Sequence, residues 1–326
     1  MPRWRRAALR CGVALLAALC AVPAAAQRSA MARADTLLRA GRLRAADSLY
    51  WYGWRRAPRD PAVRFALGRY LAARGALKVG AVLMEEALFF GGDTARVGAE
   101  LAPLYERLGT FGAVAALPPT AVDSARRARA RWLERHAPST AGADSAFVPY
   151  APAASEDELG SILLVLGRDT VRAAIVPAAI GLVLDTTLAE HARVRVFGEG
   201  DPSGTWPAVA SAVRLGAVTL RNVPAMVVRG APTTDGAPWH AAVGLDFLAR
   251  LAPTFHAELG EVMLRRRGHL PRDLPGTRTP YVLLPDAAWI AHRGALLPLG
   301  STAAAAVLSS TWTLDERHGV VIVGAP

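Results

Sequence analysis

Cysteine is almost missing from this 326-residue chain: Cys11 and Cys20 are the only two, and both fall within the first 26 residues. Beyond that segment neither a disulfide framework nor a thiolate nucleophile is possible. Lysine is scarcer still, with Lys78 alone among 38 basic residues, so the formal charge of +11 is carried by arginine. Those arginines are scattered rather than blocked and interleaved with aromatics, which argues against a nucleic-acid partner. The sequence has no H-E-x-x-H, C-x-x-C, G-x-S-x-G or phosphate-loop pattern. His191, His240, His256, His269, His292 and His318 are dispersed, and none is followed at three or four positions by another histidine or a cysteine. No metal and no cofactor are therefore expected.

Long hydrophobic runs are also lacking. Residues 11–22 form the longest apolar core, too short to span a bilayer, and Arg3, Arg5, Arg6 and Arg10 precede it. With Ala24, Ala25 and Ala26 behind it, this is the pattern of a secretory signal cut near Ala26, and it predicts a periplasmic or secreted protein with no membrane span in the mature chain. Leu19 stands where a lipoprotein signal ending at Cys20 would want a small residue. Removal of residues 1–26 takes four arginines and no acids, leaving +7 and no cysteine. The remaining 300 residues are enough for two domains.

What is present begins with a period of 34. Gly41, Gly75 and Gly109 follow that step, as do Ala34, Gly68 and Ala102, then Leu37, Leu71 and Tyr105, then Ala46, Gly80 and Val114. Apolar residues at three- and four-residue steps predict paired helices over 34–54, 63–90 and 97–117, and Thr120 reads as the N-cap of a basic helix over 121–136. The pattern resembles the tetratricopeptide repeat, which implies a small α-helical solenoid over 27–137. Such arrays present a concave face to peptides or proteins, and Tyr50, Trp51 and Trp54 are candidates to line it, although aromatics at this density more often pack the core.

A stretch rich in Ala, Pro, Ser and Asp, 138–158, reads as a linker, and beyond it the period changes to two. Short runs at 162–166, 172–176, 181–184, 193–197, 208–215, 218–220 and 225–228 predict a small closed β-structure. From Leu159 to Gly268 four pieces resemble, in order, the lobe of the retropepsin-like aspartic peptidases: the hairpin at 166–172, the strand and helical turn at 181–189, the strand-turn-strand at 213–224, and Val243-Gly244-Leu245-Asp246-Phe247-Leu248 with the hairpin 254–264. The resemblance implies an α+β multidomain chain, with helices followed by a mainly β closed barrel. It also places Gly198, Gly200 and Gly204 in a mobile flap over a substrate, and makes a homodimer through the β-domain possible. Asp246 reads as a helix-start residue. Residues 269–326 are too few for a second lobe, and predict a trimmed lobe or an added sheet.

The resemblance stops where chemistry begins. In its register Val176 fills the slot of the catalytic aspartate, and Pro177, Ala178, Ala179 and Ile180 fill the Thr-Gly-Ala-Ser that follows. Catalysis in that family needs two carboxylates about 3 Å apart sharing one proton. Asp185 offers a second register, but Thr187 would then stand where a glycine makes the turn. Two functions follow: a non-catalytic exported protein that binds a peptide or protein ligand, with no catalytic residue, or an aspartic endopeptidase that uses Asp185 in a homodimer.

Overall fold

The computed structural model describes residues 29–324, apart from 154–158, 179, 200–202, 231–232, 235–236, 267–268, 285–286 and 309–310. The expected signal segment and Gly200 lie outside the described residues.

Among the described residues seven helices come first: α1 over 29–39, α2 Leu43–Arg56, α3 Pro61–Ala73, α4 Leu77–Phe89, α5 Thr94–Leu108, α6 Phe111–Ala116 and α7 Ser124–Arg135. Their starts are chemically marked. Asp60 caps α3 ahead of Pro61, Asp93 caps α5, and Asp123, rather than Thr120, caps α7 by accepting from the Arg126 amide. The 34-residue step has a structural cause at the turns. Gly41, Gly75 and Gly109 end α1, α3 and α5 at φ +74°, +86° and +75°, the left-handed region in which a side chain is strained. The small-residue columns are the helix contacts. Ala34, Ala46, Ala102 and Val114 are fully buried, and a Cβ on Gly80 would lie 2.7 Å from the Gly68 carbonyl, so α3 and α4 touch backbone to backbone.

A closed β-barrel follows. β3 (Ser161–Leu166), β4 (Asp169–Val176), β11 (Ala241–Gly244), β5 (Leu182–Asp185), β8 (Val218–Val228) and β7 (Thr205–Leu215) pair in that order, and Leu166 opposite Val213 closes the ring. Closure leaves these strands no open edge, and their inward residues form one core around Ile162, Leu164, Ile175 and Leu184. The two runs at 218–220 and 225–228 are one strand, since Asn222 and Pro224 interrupt the apolar pattern without breaking the ladder.

Strands also occupy the stretch expected as a linker. β1 (Ser139–Gly142) pairs with β8, and β2 (Ser145–Ala151) joins β3 to β13 (Glu261–Arg265). Ala146 and Val148 point inward while Phe147 points out, an alternation hidden by the surrounding Ser, Pro and Ala. Beyond β13 the sheet continues through β12 (Thr254–His256), β17 (Thr311–Asp315), β18 (Val320–Val323) and β14 (Thr277–Leu283), and ends in the hairpin β15 (Ala288–His292) and β16 (Ala295–Pro298). The C-terminal segment is thus an added sheet that shares the barrel's core.

This sheet also carries the first helices. Val282, buried with Met31, Tyr50 and Leu67, belongs to the helical core, and Trp289 and Leu296 pack against it. A Cβ on Gly75 would lie 2.6 Å from the Glu316 carbonyl, and one on Gly41 would run into the backbone of Ala295 and Leu296.

Candidate functional site

The site is built where one loop wraps the end of a strand. β4 and β11 run parallel with Val176 beside Gly244, and the chain then turns over the end of β11 before entering β5. Three bonds fasten that turn: the Gly244 amide donates to the Gly181 carbonyl at 2.8 Å, the Leu245 amide to the Ala178 carbonyl at 3.2 Å, and the Gly181 amide to Asp246 Oδ1 at 2.9 Å. Gly244 has no room for a side chain, because a Cβ there would lie 2.6 Å from the Ala178 carbonyl.

Val176 is half-buried at this point. It packs with Ile180, Val228 and Trp239 against Ala174, Val183 and Ala242, an environment made of hydrocarbon. Asp185, 4% exposed, ends β5 and caps the short helix α8 (Thr186–His191): Oδ1 accepts from the Leu188 amide at 2.7 Å. Oδ2 lies 2.5 Å from Nδ1 of His240, whose carbonyl also accepts the Asp185 amide.

A cavity of about 1030 Å³ opens between the barrel and the helices. Its barrel wall includes Ile180, Gly181, Leu182, Met226 and Asp246, and its helical wall includes Pro103, Glu106, Arg107 and Arg129; neither Val176 nor Asp185 lines it. Gly198 lines it too, in the loop between β6 (Arg195–Val196) and β7, where it abuts Ala125 of α7. Gly204, at φ +74°, ends the same loop, and its carbonyl accepts the Arg229 amide at 2.8 Å.

The aromatic candidates lie elsewhere. Tyr50 is 1% exposed, stacks on Tyr70 with ring centres 4.6 Å apart, and donates a hydrogen bond from its hydroxyl to Asp35. Burial, followed by that bond, raises its pKa far above the ordinary phenol value. Trp51 and Trp54 are half-buried, meet edge to face at 5.7 Å and pack on the same helical core.

Charged groups fill the cavity's interior. Burial by itself would raise the Glu106 pKa, yet Arg129 and Arg126 beside it hold the carboxyl below its ordinary range. Glu106 Oε1 accepts from Arg126 Nε and Arg129 Nη2, each at 2.7 Å, and Arg129 reaches across to the Ala225 carbonyl at 2.8 Å. Arg107 Nη2 donates to Glu316 at 2.8 Å. Asp246 is held the other way: burial raises its pKa, only partly opposed by the Gly181 amide, Arg107 and Arg250. Asp246 is second in the helix α9 (Leu245–Ala249), and its Oδ1 accepts from the Gly181 amide across the turn. Its Gly-Leu-Asp setting was the sequence signal; the arginines facing it come from α5 and from the end of α9.

Among the described residues no cluster of His, Cys, Asp and Glu has the makings of a metal site. His318 does have a carboxylate close in sequence, Asp315, which precedes it by three residues and lies 2.6 Å from Nδ1. No described helix is long and apolar enough to cross a membrane.

No protein-family model matches the chain, and no curated protein matches it. Nine solved chains do. One is a retropepsin-like aspartic protease from Rickettsia conorii, 13% identical, with 39% of this chain and 94% of that one covered and a TM-score of 0.28. A likeness so slight carries no weight on chemistry or assembly.

Proposed function

We propose that this chain is an exported, non-catalytic peptide- or protein-binding protein, in which tetratricopeptide-like helices are joined to a retropepsin-like lobe that has lost its acid. The observation that carries this is Val176: hydrocarbon stands beside Gly244, where the turn over β11 would have to present a carboxylate to water. The commitment of both Asp185 oxygens to the Leu188 amide and His240 supports the same conclusion. Binding needs no such acid. An extended segment can lie between the turn at Ile180–Leu182 and Gly198, Glu199 and Thr205, all on the cavity wall, and be held by backbone pairing. The arginine-rich start with its short apolar core supports export.

The competing function is an aspartic endopeptidase in which Asp185 meets its copy across a homodimer. Purified mature chain, assayed from acid to neutral pH on a quenched peptide library, is expected to show no turnover. Pepstatin-sensitive cleavage with an acidic optimum that Asp185→Asn abolishes would establish the peptidase instead.

A further inference from the structure

Among the described residues the charges that face the cavity do not cancel. Among the described residues the groups that act on Glu106, Asp246 and Arg250 are the guanidiniums of Arg107, Arg126, Arg129 and Arg250 and the carboxylates of Glu106, Asp246 and Glu316. Four guanidiniums stand against three carboxylates, and burial disfavours the charge on one of the three, Asp246. Arginine does not escape by losing its proton, so an excess cation in a low-dielectric site calls for an anion. The other described charged groups on the cavity wall do not supply it: Arg69 and Glu100 pair with each other at 3.4 Å with more than a third of each side chain in solvent, and Asp123 and Glu199 are exposed.

The excess is not spread evenly. Arg126 and Arg129 are both ion-paired with Glu106, and Arg129 also donates to the Ala225 carbonyl. Among the described residues Arg250 donates only one hydrogen bond, to the Glu106 carbonyl at 3.5 Å, and Arg107 leaves its buried Nε without an acceptor. Both guanidiniums belong to the cavity wall. A planar fork with idle donors matches the two oxygens of a carboxylate.

We infer that Arg250, with Arg107 beside it, is a carboxylate subsite of this cavity and takes the C-terminal or side-chain carboxylate of an extended peptide. The inference rests on the peptide-binding function proposed above and adds the chemistry of its ligand. The test uses immobilised mature chain and equimolar pools of randomised hexapeptides with free or amidated C-termini, the retained peptides being read by mass spectrometry. Free-acid peptides, and amidated peptides that contain Asp or Glu, are expected to be enriched about tenfold over the remaining amides, a difference of about 1.4 kcal/mol. Arg250→Gln is expected to remove that preference while a thermal melt shows the chain still folded. The comparison of acid with amide on the unaltered chain stands even if the variant does not fold. Equal retention of acids and neutral amides would overturn the subsite and leave peptide binding intact. Retention of no peptide would remove both, and elution of the acids by inorganic phosphate at equal concentration would reduce the site to a general anion site and overturn the peptide assignment.

Discussion

Asp185 and His240 share one proton-sized gap: Oδ2 and Nδ1 are 2.5 Å apart, while Oδ1 of the same carboxylate holds the start of α8. An aspartate used this way is part of the scaffold. Asp185→Ala is expected to cost about 1–2 kcal/mol through the lost cap, whereas Asp185→Asn, which keeps an oxygen for the Leu188 amide, costs less. Chemical denaturation of the two variants checks the order.

Val176→Asp tests the proposed loss of the acid directly. The new carboxylate would sit half-buried among Ile180, Val228 and Trp239. A loss of about 1–3 kcal/mol in stability and no gain of proteolysis are expected. Cleavage that is pepstatin-sensitive in the variant alone would show a second acid within reach.

The two acids of the cavity set opposite pH responses. Asp246 has a folded-state pKa above its unfolded value, so its contribution is full in acid and is lost as pH rises through the folded pKa. Glu106 has a folded-state pKa below its unfolded value, so its contribution is present at neutral pH and is lost as pH falls through the folded pKa. Asp246→Asn, which still accepts from the Gly181 amide, is therefore expected to be neutral or stabilising at pH 7. Glu106→Gln is expected to destabilise by about 3 kcal/mol, because it strands Arg126 and Arg129. Melts of both variants at pH 5 and pH 7 distinguish the two signs.

The turn glycines separate backbone strain from contact. Gly109 has open space around its missing Cβ, so Gly109→Ala is expected to cost about 1 kcal/mol for its positive φ alone. Gly75, in the same column, faces the Glu316 carbonyl, and Gly75→Ala is expected to cost at least twice as much, about 2–3 kcal/mol. Equal losses would show that the helices do not rest on the C-terminal sheet in solution.

Much of this fold is legible in the sequence because local geometry fixes the residue type. A turn at positive φ wants glycine, which exposes the 34-residue step, and a strand buried on one face alternates, which exposes β3, β4 and β7. The strand β2 is not legible in the same way, since Ser, Pro and Ala dilute its alternation. The candidate site is less legible still. Val176 is readable as a substitution within a resemblance, but Asp246 looks like any helix-start aspartate until Arg107, more than a hundred residues earlier, is folded against it. Tyr50 looks like a binding aromatic, yet its ring is covered by Tyr70. Long-range burial leaves no local mark.

The seating of Gly41 and Gly75 on residues 295–296 and 316–319 ties the beginning of the chain to its end. The first helices gain their full support only after the last hairpin has formed, and contacts that far apart in sequence close slowly. Without residues 267–326 the helices α1 and α3 would lose the floor on which their closing turns rest.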